Sequence, residues 1–230
     1  MKIVAISDTH NLYRNLDIPE CDVLVSCGDH TLRGKAEECL DFVSWITNLD
    51  QAKHKIFIAG NHDIYFQHTK IPKNLNNKTY YLLDDDITID GIKFYGTPWT
   101  PFFYDWAFNA LEPKPGVGNL YRGGPGADAK PDALHPLMAD KLSLVPKDTQ
   151  VLICHGPPRV GKLDISRHGD MCGSYLLRDL IGQLPILQIG LFGHIHESRG
   201  TEEYCGVTCY NVSTLDRDYQ TIRPPVVIEI

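Results

Sequence analysis

The sequence predicts an α/β protein in which two mixed sheets pack together and helices cover the outside. Three observations predict it. Ten short apolar runs, rich in β-branched residues, recur along the chain, and several stop at a polar cluster. Segments of helical periodicity separate these runs in the first and last parts of the chain. In the middle, the runs follow one another without a helix, as hairpins do.

Taken in order, Ile3–Ile6, Val23–Ser26 and Lys55–Ala59 are the first strands. Between the second and third, Ala36 to Leu49 places Leu40, Val43 and Ile46 near one face at three- to four-residue spacing, which predicts an amphipathic helix. Tyr80–Leu83, Ile87–Ile89 and Ile92–Tyr95 form the central hairpin region. Val151–Ile153 opens a second set of βα units. Its helix is predicted from Cys172 to Leu184 through Leu176, Leu177 and Leu180, and Ile186–Phe192, Val207–Val212 and Val226–Ile230 complete the strands. The chain is expected to be one domain, 1–230, with a Gly/Pro/aromatic-rich loop insertion around 98–136. The aromatic cluster there (Trp99, Phe102, Phe103, Tyr104, Trp106 and Phe108) is read either as a small local core or as the wall of a substrate pocket.

Composition bounds the function classes. The chain has 230 residues, 43% hydrophobic and 22% charged, as a folded globular protein has. Its net charge of −7 argues against sequence-independent binding of long nucleic acids, which needs a basic face. The seven cysteines are odd in number and form no C-x-x-C pair, so they are expected to be reduced small hydrophobes. No run approaches the ~18 apolar residues of a membrane helix. The first apolar run leads straight into Ser7-Asp8-Thr9-His10, which leaves no room for a signal peptide. A cytoplasmic protein with no membrane partner is the expectation.

What ends each strand carries the chemistry. Five strand candidates deliver Asp8/His10, Asp29, Asn61, His155 and His194/His196 at their carboxyl ends, the edge at which α/β folds bind ligands. Gly28, Gly60 and Gly193 precede three of these clusters and permit a sharp turn. Carboxylate, imidazole and amide donors without thiolate suit manganese, iron, zinc or nickel. In extended chain the i, i+2 pairs Asp8/His10 and His194/His196 would each aim two donors to one side. Seven donors are too many for one zinc and fit two metals, one carboxylate bridging them. Asp or Asn at a strand end is often only a turn former. The whole set, D-x-H, G-D, G-N-H-D, a strand-end His and G-H-x-H in this order, is far more specific than any one member.

These blocks resemble the calcineurin-like metallophosphoesterase superfamily, and more closely its metallophosphoesterase-domain-containing subfamily, related to class III cyclic-nucleotide phosphodiesterases. The resemblance runs from Asp8 to His196. It is carried further by Asp105-Trp106-Ala107-Phe108-Asn109, by His155-Gly156-Pro157-Pro158 with Asp164, and by the stretch from Asn211 to Asp216. It implies a four-layer α-β-β-α sandwich and two divalent metal ions, manganese first. The first metal would take Asp8, His10, Asp29 and His196, and the second Asp29, Asn61, His155 and His194, with Asp29 as the bridge. His62 would be the catalytic histidine and Asp63 its orienting partner. Some animal members of the subfamily carry Gly in place of the first His of G-H-x-H; His194 is present here, which implies a complete site.

Among the other polar residues, His168 is expected to face the pocket and contact phosphate together with Arg159 or Arg167, whereas His30 is read as lying behind the site or exposed. The leading functional expectation is a phosphodiesterase acting on a small nucleotide-type ester. A phosphomonoesterase or protein phosphatase on the same site, a nuclease, and a nucleotide-binding scaffold with a decayed site are the alternatives. The acidic balance disfavours the nuclease.

Overall fold

The computed structural model describes residues 1–76, 78–113 and 131–230. The strands are β1 (Lys2–Ile6), β2 (Cys21–Ser26), β3 (Ala52–Phe57), β4 (Asn74–Asn76), β5 (Thr79–Tyr81), β6 (Asp85–Ile89), β7 (Ile92–Thr97), β8 (Thr100–Pro101), β9 (Asn109–Ala110), β10 (Val151–Cys154), β11 (Ile189–Phe192), β12 (Gly200–Tyr204), β13 (Val207–Asn211) and β14 (Val226–Glu229). The helices are α1 (Ala36–Thr47), α2 (Ile64–His68), α3 (Met138–Leu142) and α4 (Tyr175–Ile181).

Two six-stranded sheets result, in the orders β14-β1-β2-β3-β5-β4 and β12-β13-β11-β10-β7-β6. Each has four parallel strands flanked by an antiparallel strand at either edge. The period-two rule of strands assigns their faces. Ile3 and Ala5 of β1 and Val23 and Val25 of β2 pack in one buried cluster with Ile153 of β10 and Leu191 of β11, between the sheets. Val4, Ile6 and Leu24 point the other way, into a cluster with Phe42 and Ile46 of α1. On the second sheet, Leu152 and Cys154 share that second cluster with Met138 of α3 and with Leu177 and Ile181 of α4. The layers are therefore α-β-β-α, as expected. No helix among the described residues is long and apolar enough to cross a membrane.

Two predicted helices are shorter than their sequence pattern. In α1 the buried stripe is Cys39, Phe42 and Ile46, and Leu40 is 52% exposed. The Glu38 carboxylate accepts the backbone N–H of Arg33 and of Lys35, which fixes where α1 starts. The segment expected from Cys172 becomes helical only at Tyr175, because the Ser174 hydroxyl caps the N–H of Leu177 at 2.9 Å. In the loop insertion, Trp99, Phe102 and Phe108 are buried, whereas Phe103 and Tyr104 are exposed. The cluster thus divides: Trp99, Phe102 and Phe108 pack inward as a local core, and Phe103 and Tyr104 face outward. The Gly/Pro-rich part of that insertion, 114–130, lies outside the described residues.

Candidate metal centre

Asp8 and His10 follow β1, Asp29 follows β2, Asn61 follows β3, His155 follows β10, and His194 and His196 follow β11. The five strand ends bring all seven side chains to one place. Extended backbone is not how they get there. Asp8, His10, Asp29 and His194 all have positive φ, at 54°, 39°, 53° and 69°. Such conformations are costly away from glycine and cluster at functional sites. The i, i+2 argument therefore gave the right convergence for the wrong backbone, since left-handed turns aim these donors.

Two of the neighbouring glycines are required by contact. A Cβ on Gly60 would fall 2.3 Å from Asp29 Oδ1, and one on Gly193 would fall 2.4 Å from Asp8 Oδ2. Only hydrogen at these positions lets the carboxylates reach the floor of the site.

The ligating atoms form three close sets, two of which are made of predicted ligands alone. Asp8, His10 and His196 place theirs within 4.8 Å of one another, and so do Asp29, His155 and His194. Asp29 also stands 4.0 Å from His10 Nε2 and 3.3 Å from His155 Nε2, which puts it between the sets. Asn61 Oδ1 is 2.9 Å from His155 Nε2.

Backbone carbonyls orient the imidazoles. Nδ1–H of His10 donates to Thr31 O at 3.0 Å, that of His155 to Cys27 O at 2.8 Å, and that of His196 to Asp216 O at 3.0 Å. Each ring is thereby left to offer Nε2 to the centre, the arrangement that metal-binding histidines adopt. The consequence is a crowding of lone pairs. His10 Nε2 and His196 Nε2 face each other at 3.2 Å. Facing lone pairs at that distance repel unless a proton or a metal cation lies between them, so the donor set fits divalent metal ions.

Electrostatics agree. Burial opposes charge on His155, but Asp29 outweighs it and pushes the imidazole up to about 9. Burial is likewise outweighed at His196 by the hydrogen bond and charge of Asp8, again up to about 9. Burial pushes His10 down to about 4, and burial together with the charge of His155 does the same to His194. Burial would raise Asp8 and Asp29, but the histidines around them hold both carboxyls below the usual range.

His62 sits beside these two sets and completes the third, its ring nitrogen within 4.8 Å of ligating atoms of His10 and Asp29. Its backbone N–H donates to Asp29 Oδ1 at 2.7 Å, and its Nδ1–H donates to Leu32 O at 2.8 Å. The ring stacks on Trp106 with centroids 4.2 Å apart. Asp63 does not orient it, contrary to the expectation. The Asp63 carboxylate is fully buried and accepts the backbone N–H of His30, Thr31 and Gly60 and the Thr31 hydroxyl. It braces two strand-end loops, and the Leu32 carbonyl does the orienting.

The centre opens into a pocket of about 590 Å³. Its walls include Phe103, Tyr104, Trp106 and Tyr219, together with Arg167, His168 and Arg217. His168 faces the pocket as expected, its Nε2 accepting from Arg167 Nε at 2.9 Å. Arg159 does not. Its guanidinium donates to Met171 O and lies 4.5 Å over the ring of Tyr175, whose aromatic face attracts it. His30 is wholly buried, stacked on Phe42 at 3.6 Å, and donates nothing to the pocket. Asp164 braces its loop by accepting the Gly173 N–H at 2.9 Å.

Residues 1–198 match the family described as Calcineurin-like phosphoesterase. The chain belongs to that family. Metallophosphoesterase domain-containing protein 1 of Homo sapiens is 30% identical over the whole chain and 71% of its own length. Two UPF0046 proteins of Caenorhabditis elegans, 31% and 29% identical, also cover the whole chain, and 75% and 81% of their own lengths. Calcineurin-like phosphoesterases generally bind a dimetal centre, and the two donor sets supply candidate ligands for one here.

Several parts of this calcineurin-like site escaped the sequence motifs. The Ser213 hydroxyl donates to Asp8 Oδ2 at 2.9 Å, and the His194 N–H lies 3.0 Å from both oxygens of Asp8. Ser213 lies within the Asn211–Asp216 stretch, which was the available signal. The carbonyls of Cys27, Thr31, Leu32 and Asp216 left none, because a carbonyl carries no residue identity.

Proposed function

We propose that the chain is a dimetal phosphodiesterase that hydrolyses small nucleotide-type phosphodiesters. The observation that carries this reading is the pair of donor sets with Asp29 standing between them at the floor of a pocket with aromatic walls. Asp8, His10, Asp29 and His196 would hold one ion, and Asp29, Asn61, His155 and His194 the other. Oxygen and nitrogen donors without thiolate make manganese the first expectation, with iron, zinc or nickel as alternatives. When bound, such a pair of ions supplies charge for the phosphoryl oxygens and an activated water as nucleophile.

The chain's own residues supply the rest. The Leu32 carbonyl fixes the Nδ1–H of His62, so its other nitrogen can carry a proton to the leaving alkoxide. Stacking on Trp106 limits the ring's rotation. Arg167 and His168 give the outer pocket positive and hydrogen-bonding groups for the ester's remaining oxygens. In this reading 1–230 act as one domain, and a phosphomonoesterase is the alternative. Cys21, Cys27, Cys39, Cys154 and Cys209 are buried thiols, which supports a reducing cytoplasm as the working compartment.

The test compares bis-p-nitrophenyl phosphate, p-nitrophenyl phosphate and 2′,3′- and 3′,5′-cyclic nucleotides with added Mn²⁺, alongside elemental analysis. Diesters are expected to be cleaved fastest, with two metal ions per chain. Faster monoester cleavage would overturn the diesterase reading, and a single ion per reconstituted chain would overturn the dimetal one.

A further inference from the structure

The two lips of the pocket share an unusual backbone feature. Tyr219 on one lip has φ 60°, and Tyr104 on the other has φ 50°. Left-handed backbone is uncommon for any residue with a Cβ, and for a bulky one it calls for a local cause. Both causes are visible. On the first lip, Asp216 builds the turn: its carboxylate accepts the N–H of Gln220 and Thr221, and its carbonyl accepts the N–H of Tyr219. That same carbonyl holds His196 Nδ1–H, so the turn is tied to the metal centre itself. On the second lip, buried Asn109 does the equivalent work. Its side chain accepts the N–H of Phe103 and donates to the carbonyls of Tyr104 and Trp106.

The Tyr219 ring rests on the imidazoles of His10 and His196, with centroids 4.6 and 5.0 Å away. It remains 38% exposed. Across the pocket, Phe103 reaches toward His194 with centroids 6.4 Å apart, and Tyr104, 71% exposed, packs edge-on to Phe103. Each lip thus carries an aromatic ring at a height set by the donors beneath it. What Tyr219 offers the site is a flat apolar face.

We propose that Tyr219 is a specificity-determining residue whose ring stacks on the nucleobase of the substrate, with the Phe103–Tyr104 lip closing the other side. This rests on the nucleotide-type reading above and names the group that the pocket selects: the planar base, in addition to the phosphoryl group held on the floor. Stacking of one base on one aromatic ring changes affinity by about tenfold or more.

The test is binding, measured by calorimetry on the Mn²⁺-loaded protein, of adenosine 5′-monophosphate against ribose 5-phosphate. The two ligands share the phosphate and sugar and differ by the base. Wild type is expected to prefer the nucleotide by about tenfold. Tyr219→Asn, chosen because asparagine tolerates left-handed backbone, is expected to remove the preference while metal content stays at wild type. Tyr219→Phe is expected to keep it. A wild-type ratio near one, or a preference surviving Tyr219→Asn, would overturn the proposal. A loss in Tyr219→Phe equal to that in Tyr219→Asn would overturn it too, since the hydroxyl would then be the acting group. If the enzyme cleaves these monoesters, the diesterase reading fails separately, and the same ratio is read from KM.

Discussion

The imidazole of His62 lies on the indole of Trp106, ring centroids 4.2 Å apart and planes 29° from parallel. The stack and the Leu32 carbonyl together fix a ring that would otherwise swing into the open pocket. Trp106→Ala is expected to lower turnover by roughly three- to tenfold, the worth of one aromatic pair, with metal content unchanged. Trp106→Phe should recover most of the loss. Steady-state kinetics beside elemental analysis would check both.

His62→Ala removes the proposed proton donor and leaves the Asp8/His10/His196 and Asp29/His155/His194 sets intact. Both metal ions should remain while turnover falls by roughly 10²- to 10⁴-fold. The loss should be smallest for p-nitrophenyl esters, whose leaving group departs without a proton, and largest for alkyl esters. Equal losses across leaving groups would show that His62 acts otherwise.

Asp29→Ala removes the carboxylate between the two sets. It also strips the His62 N–H of its acceptor and leaves His155 without the charge that raises its pKa. Metal loading and activity are both expected to vanish. His194→Ala touches one set only, so about one metal ion per chain should remain. The ratio of bound metal in the two variants, measured by elemental analysis, decides whether Asp29 is shared.

Asp63 separates fold from chemistry. Asp63→Ala would orphan the buried N–H groups of His30, Thr31 and Gly60 at once. Unfolding free energy should drop by about 3 kcal/mol or more. His62→Ala, one residue away, should leave the urea midpoint nearly unmoved. Chemical denaturation of both variants tests this pairing.

Protonation gives the metal-free protein a stability maximum. His155 and His196 titrate near 9 when folded, above their ordinary 6.5, so their contribution is full below pH 6.5 and is lost as pH rises through 9. His10 and His194 are depressed to about 4, so stability falls as pH drops from 6.5 toward 4. Calorimetry in chelator should show the highest melting temperature near pH 6.5. Mn²⁺ should remove the alkaline decline, because the metal then takes the place of the two protons.

The sequence exposed the strands best where both faces are buried, as in β1 and β2, because continuous apolar runs have few other uses. It concealed β12, whose Gly-Thr-Glu-Glu-Tyr is a polar edge, and β8 and β9, which are two residues each. Leu40 was misplaced because Cys39 and Phe42 give an equally good helical stripe one step around α1. The candidate donors that the fold brings together were legible as motifs. Asp63 was misread because neighbours in sequence need not aim their side chains at each other. Arg159 was misread because nothing in its local sequence marks Tyr175 as its partner.

Two of the donor sets draw on both sheets: Asp8 and His10 from the first join His196 from the second, and Asp29 from the first joins His155 and His194 from the second. The interface between the sheets is hydrophobic, with Ile3, Ala5, Val23 and Val25 packed in one cluster with Ile153 and Leu191. Hydrophobic attraction is strong but non-directional, and it does not choose one angle of docking over its neighbours. The polar groups do choose, because a small slip would part both sets together. The candidate metal centre is thus also the alignment pin of the molecule. The first sheet supplies Asp8, His10, Asp29 and Asn61 and the second His155, His194 and His196, so neither sheet alone holds the whole of it.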